Sequence, residues 1–286
     1  MDDRPIEIPK RLAASCSGSA DRVAWLARLP TTVREMQRRW SLDLGAPFDA
    51  EGSCAWVAPA RRANGTRAVF KLGMPHMEAE REIDGLRFWA GDPTVGLIDC
   101  DGERNAMLLE ACEPGVSLRT RPQAEQDVVI ARLLRRLWRR PIAPHPFLPL
   151  SVMTAHWAAQ SAADADRWPD PGLAREGLRL FAELSVGGDD DVLLATDLHA
   201  GNVLAAEREP WLVIDPKPFV GDRAYDATQH LFNGLPRLTL GLIHSFAQRL
   251  GVDADRVRLW MFARLVAEPR DDWGDTRYDL ARSLVP

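Results

Sequence analysis

Three oxygen-bearing side chains flank one short hairpin in the second half of the chain. Asp197 and Asn202 lie in a polar stretch, and Asp215 follows the next apolar run. Phosphoryl transfer needs such a set, since one carboxylate must orient a hydroxyl and accept its proton while two oxygen ligands hold Mg²⁺ on the nucleotide phosphates. An Asp beside Gly and Asn more commonly caps a turn. The joint occurrence of the three residues favours phosphoryl transfer.

The elements around these residues explain why they should meet. The apolar run 192–194 predicts a short strand that ends before a loop with the permissive Gly201. The runs 203–204 and 211–214 predict a hairpin, closed by a charged turn and ended by Pro216. Asn202 then stands at the entrance of the hairpin and Asp215 at its exit.

Longer motifs at these positions carry a family resemblance. D-L-H-x-G-N-V-L from Asp197 and I-D-P around Asp215 resemble the catalytic and metal motifs of the aminoglycoside phosphotransferases. The segments I-D-P-K, V-G-D and A-Y-D between 214 and 226 are narrower, and are similar to the streptomycin 6-phosphotransferase and hydroxyurea phosphotransferase branch. The similarity begins near Trp25 and runs through most of the chain.

The resemblance implies an α+β, bilobal, protein-kinase-like fold. Residues 1–110 would form N-terminal helices and a small β-rich, nucleotide-binding N-lobe. Residues 111–286 would form a larger, mostly helical C-lobe with the catalytic loop and the substrate site. The sequence itself predicts the N-lobe order strand–strand–helix–strand–strand, at 53–58, 67–72, 78–89, 95–98 and 107–110.

Lys71, late in the second of these strands, is the candidate phosphate-binding lysine. A lysine in a strand is usually a surface residue on an edge, whereas in kinases it contacts the α- and β-phosphates and pairs with a helix glutamate. Glu78, Glu80 and Glu82 all occupy the following helix pattern. Glu82 matches the family spacing best, and Glu78 is its rival.

The remaining nucleotide contacts are implied by the resemblance. The loop 49–53 would cover the phosphates, with Gly52 and Ser53 presenting backbone N–H groups. The segment from Leu109 to Cys112, with Glu110 within it, would be the hinge whose backbone meets the adenine edge. Lys217 would contact phosphate or a loop carboxylate. ATP and Mg²⁺ are therefore the expected cofactors.

Two positions depart from the family pattern. Ala195-Thr196 stands where His-Gly is common, which removes a histidine that helps to lock the catalytic loop. Pro218-Phe219 stands where glycine and an aliphatic residue are common, and a stiffer metal loop is the expected effect. Neither change removes a phosphoryl-transfer group. A kinase-fold binding protein without turnover nevertheless stays open as an alternative.

Other segments carry weaker expectations. Residues 1–20 are expected to be loose or to wrap the surface, and Pro30 should separate two helices. The basic helix 123–140 is typical of an ordinary C-lobe helix rather than of a nucleic-acid or membrane surface. Structural roles are expected for three further residues, and a metal site from His199 and His230 lacks ligand spacing. The three structural residues are His199, Asp222 and Asp226. Four acids of the tail are candidates for substrate amino or guanidino groups: Asp271, Asp272, Asp275 and Asp279.

Composition limits the class of protein. The 286 residues carry a formal net charge of −5 with 46% hydrophobic and 27% charged residues, which fits a globular protein and argues against nucleic acid as the main partner. The acidic N-terminus does not resemble a secretory signal, and no apolar run approaches a membrane span. The four cysteines lie singly. A cytoplasmic location and a monomer are expected.

Together these observations predict an ATP-dependent small-molecule kinase. The expected acceptor is a hydroxyl of a cationic aminoglycoside, foremost streptomycin at position 6, with another small molecule or natural product as the alternative. The resemblance implies that this reaction would inactivate the antibiotic. The acceptor rests on the resemblance, because fold and motif define only the phosphate-donor side.

Overall fold

The computed structural model of the protein describes residues 5–48, 54–234, 238–269 and 275–285. Within these ranges the helices are α1 (Lys10–Ser15), α2 (Ala20–Arg39), α3 (Glu82–Trp89), α4 (Gln123–Leu137), α5 (Leu150–Ala163), α6 (Pro171–Leu184), α7 (Arg223–Phe232), α8 (Leu240–Leu250), α9 (Ala254–Ala267) and α10 (Asp275–Leu284). The strands are β1 (Leu42–Leu44), β2 (Ala55–Arg62), β3 (Arg67–Gly73), β4 (Leu97–Asp101), β5 (Ala106–Glu110), β6 (Val192–Leu194), β7 (Val203–Leu204), β8 (Leu212–Val213) and β9 (Phe219–Gly221). The predicted α+β class is confirmed.

The chain divides into two compact units. The first unit comprises Met1–Val116 together with the returning segment Ala205–Leu212, and the second comprises Ser117–Leu204 and Val213–Pro286. The assignment of nucleotide binding to residues 1–110 and of substrate binding to 111–286 stays a prediction. No helix among the described residues is both long enough and apolar enough to cross a membrane.

The first unit is built on one antiparallel sheet in the order β1-β2-β3-β5-β4. The predicted hairpin at Asn64-Gly65 joins β2 to β3, and Gly65 takes a φ of 83°, which favours glycine. Strand β3 is central in this sheet, because it pairs with β2 on one side and with β5 on the other. Its apolar residues join the core that α1 and α2 complete.

Two expectations about the N-terminal helices are wrong. Residues 10–15 form α1, and Leu12 and Cys16 beside it are fully buried rather than loose. Pro30 does not divide α2, which continues from 20 to 39. Proline in a helix interior costs about 3 kcal/mol, and the burial of one apolar face outweighs that cost. The face consists of Trp25, Leu29, Val33 and Met36.

Two predicted helices are shorter than the apolar pattern suggests. A 3₁₀ turn covers Met77–Ala79, and α3 begins only at Glu82. At the other end of its pattern, α4 ends at Leu137 instead of Arg140. The chain leaves α4 because Arg139 bridges to Leu193, whose N–H donates to the Arg139 carbonyl over 2.9 Å.

The second unit is helical around the buried helix α9, which packs against α6, α7, α8 and α10. The helices α6 and α9 approach closely at Gly177, where a Cβ would lie 2.2 Å from Val266 Cγ2. Two short sheets accompany these helices, β6 with β9 and β7 with β8. The apolar pattern does not predict β9 as a strand. Strand β9 pairs with β6, and Phe219 lies opposite Leu194. This pairing brings the loop after β6 beside the loop before β9.

Candidate active site

The loop that carries Asp197 is held by backbone hydrogen bonds to a buried carboxylate. Asp226, in the first turn of α7, accepts the N–H of Ala195 over 3.0 Å and of Thr196 over 2.7 Å. Trp138 Nε1 donates to the same carboxylate over 3.0 Å. Thr196 has a positive φ of 47°, uncommon for a β-branched residue. These contacts hold the loop at Ala195 and Thr196, the two positions where the resemblance predicts His-Gly.

Burial dominates the electrostatics of Asp226. The residue has 0% exposure, and this burial raises its pKa to about 6, although the three N–H donors oppose the rise. The structural role predicted for Asp226 is confirmed by these contacts. Asp222 is likewise structural, since it caps α7 by accepting the Ala224 N–H over 2.9 Å and also accepts from Trp260 Nε1 over 2.7 Å.

Asp197 itself is half-buried and contacts polar groups from two directions. Asn202 Nδ2 donates to the Asp197 carbonyl over 3.0 Å and lies 3.5 Å from Oδ2. Gln229 Nε2, from α7, donates to Oδ1 over 2.8 Å. His199 Nε2 is 4.0 Å from Oδ1, while its Nδ1 accepts the Gly201 N–H over 2.9 Å. The second contact confirms the structural role predicted for His199.

Asn202 and Asp215 are linked through the backbone of the hairpin. The Ile214 N–H donates to the Asn202 carbonyl over 2.9 Å, so the residue before Asp215 is tied directly to Asn202. Asp215 has a positive φ of 54°, and its carboxylate accepts from Lys217 Nζ. Lys217 is 5% exposed, and its N–H donates to the Ala195 carbonyl over 2.9 Å.

The donor set at this hairpin fits a magnesium site that shares its ligands with phosphates. The amide of Asn202 donates through Nδ2 to Asp197, so its oxygen is the side available as a ligand. Asp215 supplies a carboxylate. Mg²⁺ typically binds one or two carboxylates plus substrate phosphates, which is what this pair of residues can offer.

His199 and His230, the ligand pair weighed from the sequence, each contact other groups of the second unit. No group of three or more His, Cys, Asp or Glu side chains that could hold a metal occurs in the described part of the chain. His230 Nε2, considered with His199 as a ligand pair, instead lies 2.7 Å from Asp127 Oδ1.

In the first unit, Lys71 forms a buried ion pair with Glu82. Lys71 Nζ lies 2.6 Å and 2.7 Å from the two carboxylate oxygens, and the residues are 6% and 1% exposed. Of the three glutamates considered, Glu82 is thus one that contacts the lysine. Glu78 lies in the preceding 3₁₀ turn, and Glu80 is exposed. The alternative of a surface lysine on an edge strand is wrong, because β3 is central in the sheet.

The side chain of Glu110 is engaged within the first unit. It accepts the Gly96 N–H over 2.8 Å and two bonds from Arg208, at 3.0 Å from Nε and 2.8 Å from Nη2. Burial opposes ionisation of Glu110, but these donors outweigh it and lower the pKa. Arg208 also donates to the carbonyls of Gly91 and Thr94. Any adenine contact at this position must therefore come from the backbone.

Cys112, the other predicted hinge residue, is a half-buried thiol. Burial, followed by the nearby charge of Glu110, raises its pKa to about 11. Gly52 and Ser53 lie outside the described residues, as do Asp271 and Asp272 of the acidic tail. Asp279 is exposed and accepts from Arg282 over 2.7 Å.

Three residues with clear contacts at these sites escape prediction from the sequence: Trp138, Arg208 and Gln229. In the sequence, Trp138 belongs to an apolar helix face and Arg208 to a charged turn. Gln229 is one polar residue within an amphipathic helix, and no local signal distinguishes it from a solvated side chain.

Comparison with known proteins identifies the family of the chain. Residues 39–273 match the family model described as aminoglycoside/hydroxyurea antibiotic resistance kinase. A streptomycin 6-kinase of Streptomyces griseus is 37% identical over 98% of this chain and 95% of its own. A hydroxyurea phosphotransferase of Kitasatospora aureofaciens is 36% identical over 91% of this chain and 78% of its own.

The fold is shared with more distant kinases. The structure of a choline kinase from Streptococcus pneumoniae matches with a TM-score of 0.63, covering 89% of this chain and 98% of that one at 14% identity. This similarity confirms the predicted protein-kinase-like fold. From the family match and the extent of the relatives' identity, we conclude that the chain belongs to the aminoglycoside/hydroxyurea antibiotic resistance kinase family of small-molecule phosphotransferases.

Proposed function

We propose that the protein transfers the γ-phosphate of ATP to a hydroxyl of an aminoglycoside, with position 6 of streptomycin as the acceptor. The observation that carries this proposal is the bond from Asn202 to Asp197 in a loop tied by the backbone to Asp215. One turn and one hairpin would thereby supply a candidate base and two candidate oxygen ligands. Streptomycin as the acceptor is supported by the two relatives named streptomycin 6-kinase, at 36% and 37% identity.

In this proposal Asp197 orients the acceptor hydroxyl. The hydroxyl oxygen attacks the γ-phosphorus, the bond from that phosphorus to the β-bridging oxygen breaks with its electrons leaving on ADP, and Asp197 accepts the hydroxyl proton. Asn202 and Asp215 are the proposed Mg²⁺ ligands. The ion, when bound, would neutralise charge on the phosphates.

Further nucleotide contacts are proposed for residues of each unit. Lys71, oriented by Glu82, would contact the α- and β-phosphates. Lys217 keeps its contact with Asp215 and adds positive charge beside the metal loop. The backbone from Glu110 to Cys112 would meet the adenine edge, and the N–H groups of Gly52 and Ser53 would meet the phosphates. A cationic substrate fits the net charge of −5, and the proposed enzyme is a cytoplasmic monomer.

A second acceptor is favoured by one specific similarity. The hydroxyurea phosphotransferase is as similar in sequence as the streptomycin 6-kinase of Streptomyces glaucescens, at 36% identity each. Both reactions would use the same donor-side residues and differ only in the acceptor pocket. Hydroxyurea therefore belongs in the same assay.

The test is ADP release from Mg·ATP with streptomycin, other aminoglycosides and hydroxyurea as separate acceptors. We expect streptomycin-dependent turnover in the wild type, a phosphate on position 6 by NMR of the product, and loss of at least about 10³-fold in kcat for Asp197→Ala. The matched control is Asp189→Ala, in the exposed turn before β6. Full activity of Asp197→Ala, with Asp189→Ala unchanged, would exclude Asp197 as the base.

Two further outcomes separate the alternatives. Turnover with hydroxyurea and not with streptomycin would replace the acceptor and keep the mechanism. Binding of ATP without phosphate transfer to any acceptor of the panel would favour a binding protein and contradict the proposal.

A further inference from the structure

The amide of Gln229 connects Asp197 to a buried arginine. Its Nε2 donates to Asp197 Oδ1 over 2.8 Å, and its Oε1 accepts from Arg264 Nη2 over 2.9 Å. Gln229 lies on α7 and Arg264 on α9, two helices that pack against each other. A continuous chain of hydrogen bonds therefore runs from the core of the second unit to the candidate base.

The chemistry of the two ends leaves the amide one orientation. A guanidinium only donates hydrogen bonds, and an ionised carboxylate only accepts them. The oxygen of Gln229 must then point to Arg264, and its NH₂ group to Asp197. In the reversed amide, the NH₂ group would face the guanidinium, which is also a donor, and the oxygen would face the carboxylate, which is also an acceptor. Arg264 therefore favours the orientation in which Gln229 donates to Asp197.

Arg264 is itself held on several sides. It is 4% exposed, its Nε contacts Glu268 and its Nη1 contacts Thr228 Oγ1. The guanidinium carbon lies 4.6 Å from the ring centres of both Tyr225 and Phe232. A planar group with a carboxylate partner and two aromatic neighbours has little freedom to rotate. Arg264 is thus a rigid anchor for the Gln229 amide.

We propose that Gln229, anchored by Arg264, is a positioning residue that fixes the direction of the Asp197 carboxylate toward the acceptor hydroxyl. The inference rests on the proposed function for the role of Asp197. It adds two residues, both of which lie outside the catalytic and metal motifs. Displacement of a reacting group by about 1 Å can cost about 100-fold in rate. An enzyme in which the Asp197 carboxylate rotates freely would therefore have a low kcat even with both substrates bound.

An alternative is that these side chains only pack α7 against α9. That alternative predicts lower stability, with kinetic loss independent of Asp197. The two explanations therefore differ in a measurement that couples Gln229 to Asp197.

The kinetic test uses Gln229→Leu, which keeps the approximate volume and removes both hydrogen bonds. We expect kcat with streptomycin to fall about 30- to 100-fold, with KM for ATP within about twofold. In an Asp197→Ala background the same change should have less than about a twofold effect, since the carboxylate to be positioned is gone. The matched control is Gln123→Leu, because Gln123 Nε2 also donates to a carboxylate, Asp127 Oδ1, over 2.8 Å.

A second variant tests the anchor. Arg264→Lys retains the positive charge, but one ammonium on a flexible stem cannot reproduce the guanidinium's fork of bonds. We expect it to lower kcat, and we expect Gln229→Leu to add less than about twofold to that loss. Two kinetic results would overturn the proposal: wild-type kcat in Gln229→Leu, or an undiminished effect of Gln229→Leu in the Asp197→Ala background.

A structural arm does not depend on turnover. Crystal structures of the wild type and Gln229→Leu should show the Asp197 carboxylate rotated away from its wild-type direction in the variant, with the backbone of the loop unchanged. An unchanged carboxylate would reject the positioning role. Absence of turnover in the wild type would count against the proposed function alone, and the direction of the Asp197 carboxylate would still decide this inference.

Discussion

The N–H of Thr196 donates to Asp226 Oδ1 over 2.7 Å, between two buried partners. Thr196 immediately precedes Asp197, so the direction of the candidate base depends on a carboxylate from another element. The same carboxylate accepts from Ala195 and Trp138. Helix α7 therefore supports the loop that carries Asp197 twice, through the backbone by Asp226 and through the Asp197 side chain by Gln229.

Replacement of Asp226 should change how stability depends on pH. Burial raises its folded-state pKa from 3.8 to about 6, so its contribution to folding is fully present below its unfolded pKa and is lost as pH rises through the folded value. The amide in Asp226→Asn cannot titrate. We therefore expect the stability deficit of this variant relative to wild type to shrink by about 3 kcal/mol between roughly pH 4 and pH 7.

Urea unfolding at several pH values measures this difference. Asp189→Asn, which removes an exposed carboxylate near β6, controls for the change in net charge. A deficit for Asp226→Asn that grows with pH would mean that Asp226 stays ionised in the folded protein, held by its three N–H donors.

The ion pair of Lys71 and Glu82 should be sensitive to loss of either charge. Glu82→Gln leaves a buried ammonium opposite a neutral amide, and breaking a buried pair in this way costs about 3 kcal/mol. Lys71 would also lose its orientation. We expect kcat/KM for ATP to fall about 10- to 100-fold.

Thermal unfolding and ATP kinetics together check this expectation. Glu80→Gln is the matched control, since Glu80 is exposed two residues earlier in the chain. Equal stability and equal ATP kinetics for the two variants would show that the contact with Glu82 has no functional role.

Gly201, in the loop that carries Asp197, should not tolerate a side chain. A Cβ there would lie 2.4 Å from Arg119 Nη2 and 2.7 Å from His199 Cε1. Arg119 can shift at its flexible end, whereas the His199 ring is bound to the Gly201 N–H. For Gly201→Ala we expect kcat to fall at least about tenfold, because the adjoining loop must move, while stability drops by only about 1 kcal/mol.

Steady-state kinetics and thermal unfolding distinguish this result from general damage. Gly188→Ala is the control, because a Cβ at Gly188 finds its nearest atom at 3.9 Å. Wild-type kcat in Gly201→Ala would show that the loop accommodates the methyl group without displacing its functional side chains.

Arg208 should stabilise the first unit in a pH-dependent way. Arg208→Met removes the two hydrogen bonds that Arg208 donates to Glu110 and those that it donates to the carbonyls of Gly91 and Thr94. We expect this loss to lower the free energy of unfolding by about 1–2 kcal/mol. The lowered pKa of Glu110 stabilises the fold above its ordinary value of 4.5, and this stabilisation is lost as pH falls. The deficit of Arg208→Met should be largest near neutral pH and smaller in mild acid.

Chemical unfolding at roughly pH 7 and pH 4 gives this comparison. Arg61→Met is the control, since Arg61 is exposed and donates to one turn carbonyl, that of Gly65. A deficit that is larger in acid than at neutral pH would contradict the role assigned to the Arg208–Glu110 pair.

The residues of the hairpin are predictable because their chemistry is local. Asp197, Asn202 and Asp215 are spaced by one turn and one hairpin, and short-range rules place such elements well. Lys71 is predictable from its strand and from the family resemblance. Glu82 can be preferred only by family spacing, because a helix start four residues after Glu78 depends on tertiary packing.

The supporting residues are not predictable for a physical reason. Gln229 lies 32 residues after Asp197 in the sequence and contacts it from α7, and Arg264 lies further along the chain. Their roles depend on how α7 packs on α9. Apolar periodicity predicts that each helix has a buried face, but it does not define which residues of the two helices meet. The continuity of α2 through Pro30 is likewise decided by tertiary packing, because burial of Leu29 and Val33 outweighs the local effect of the proline.

The return of segment 205–212 to the first unit has a consequence for biosynthesis. Residues 1–116 are synthesised well before Arg208. At a translation rate of about 5–20 residues per second, the interval between Val116 and Arg208 is on the order of ten seconds. During that interval the Glu110 carboxylate does not have the hydrogen bonds that Arg208 donates to it in the folded protein. The first unit is therefore complete only when segment 205–212, which is translated after the loop that carries Asp197, joins residues 1–116.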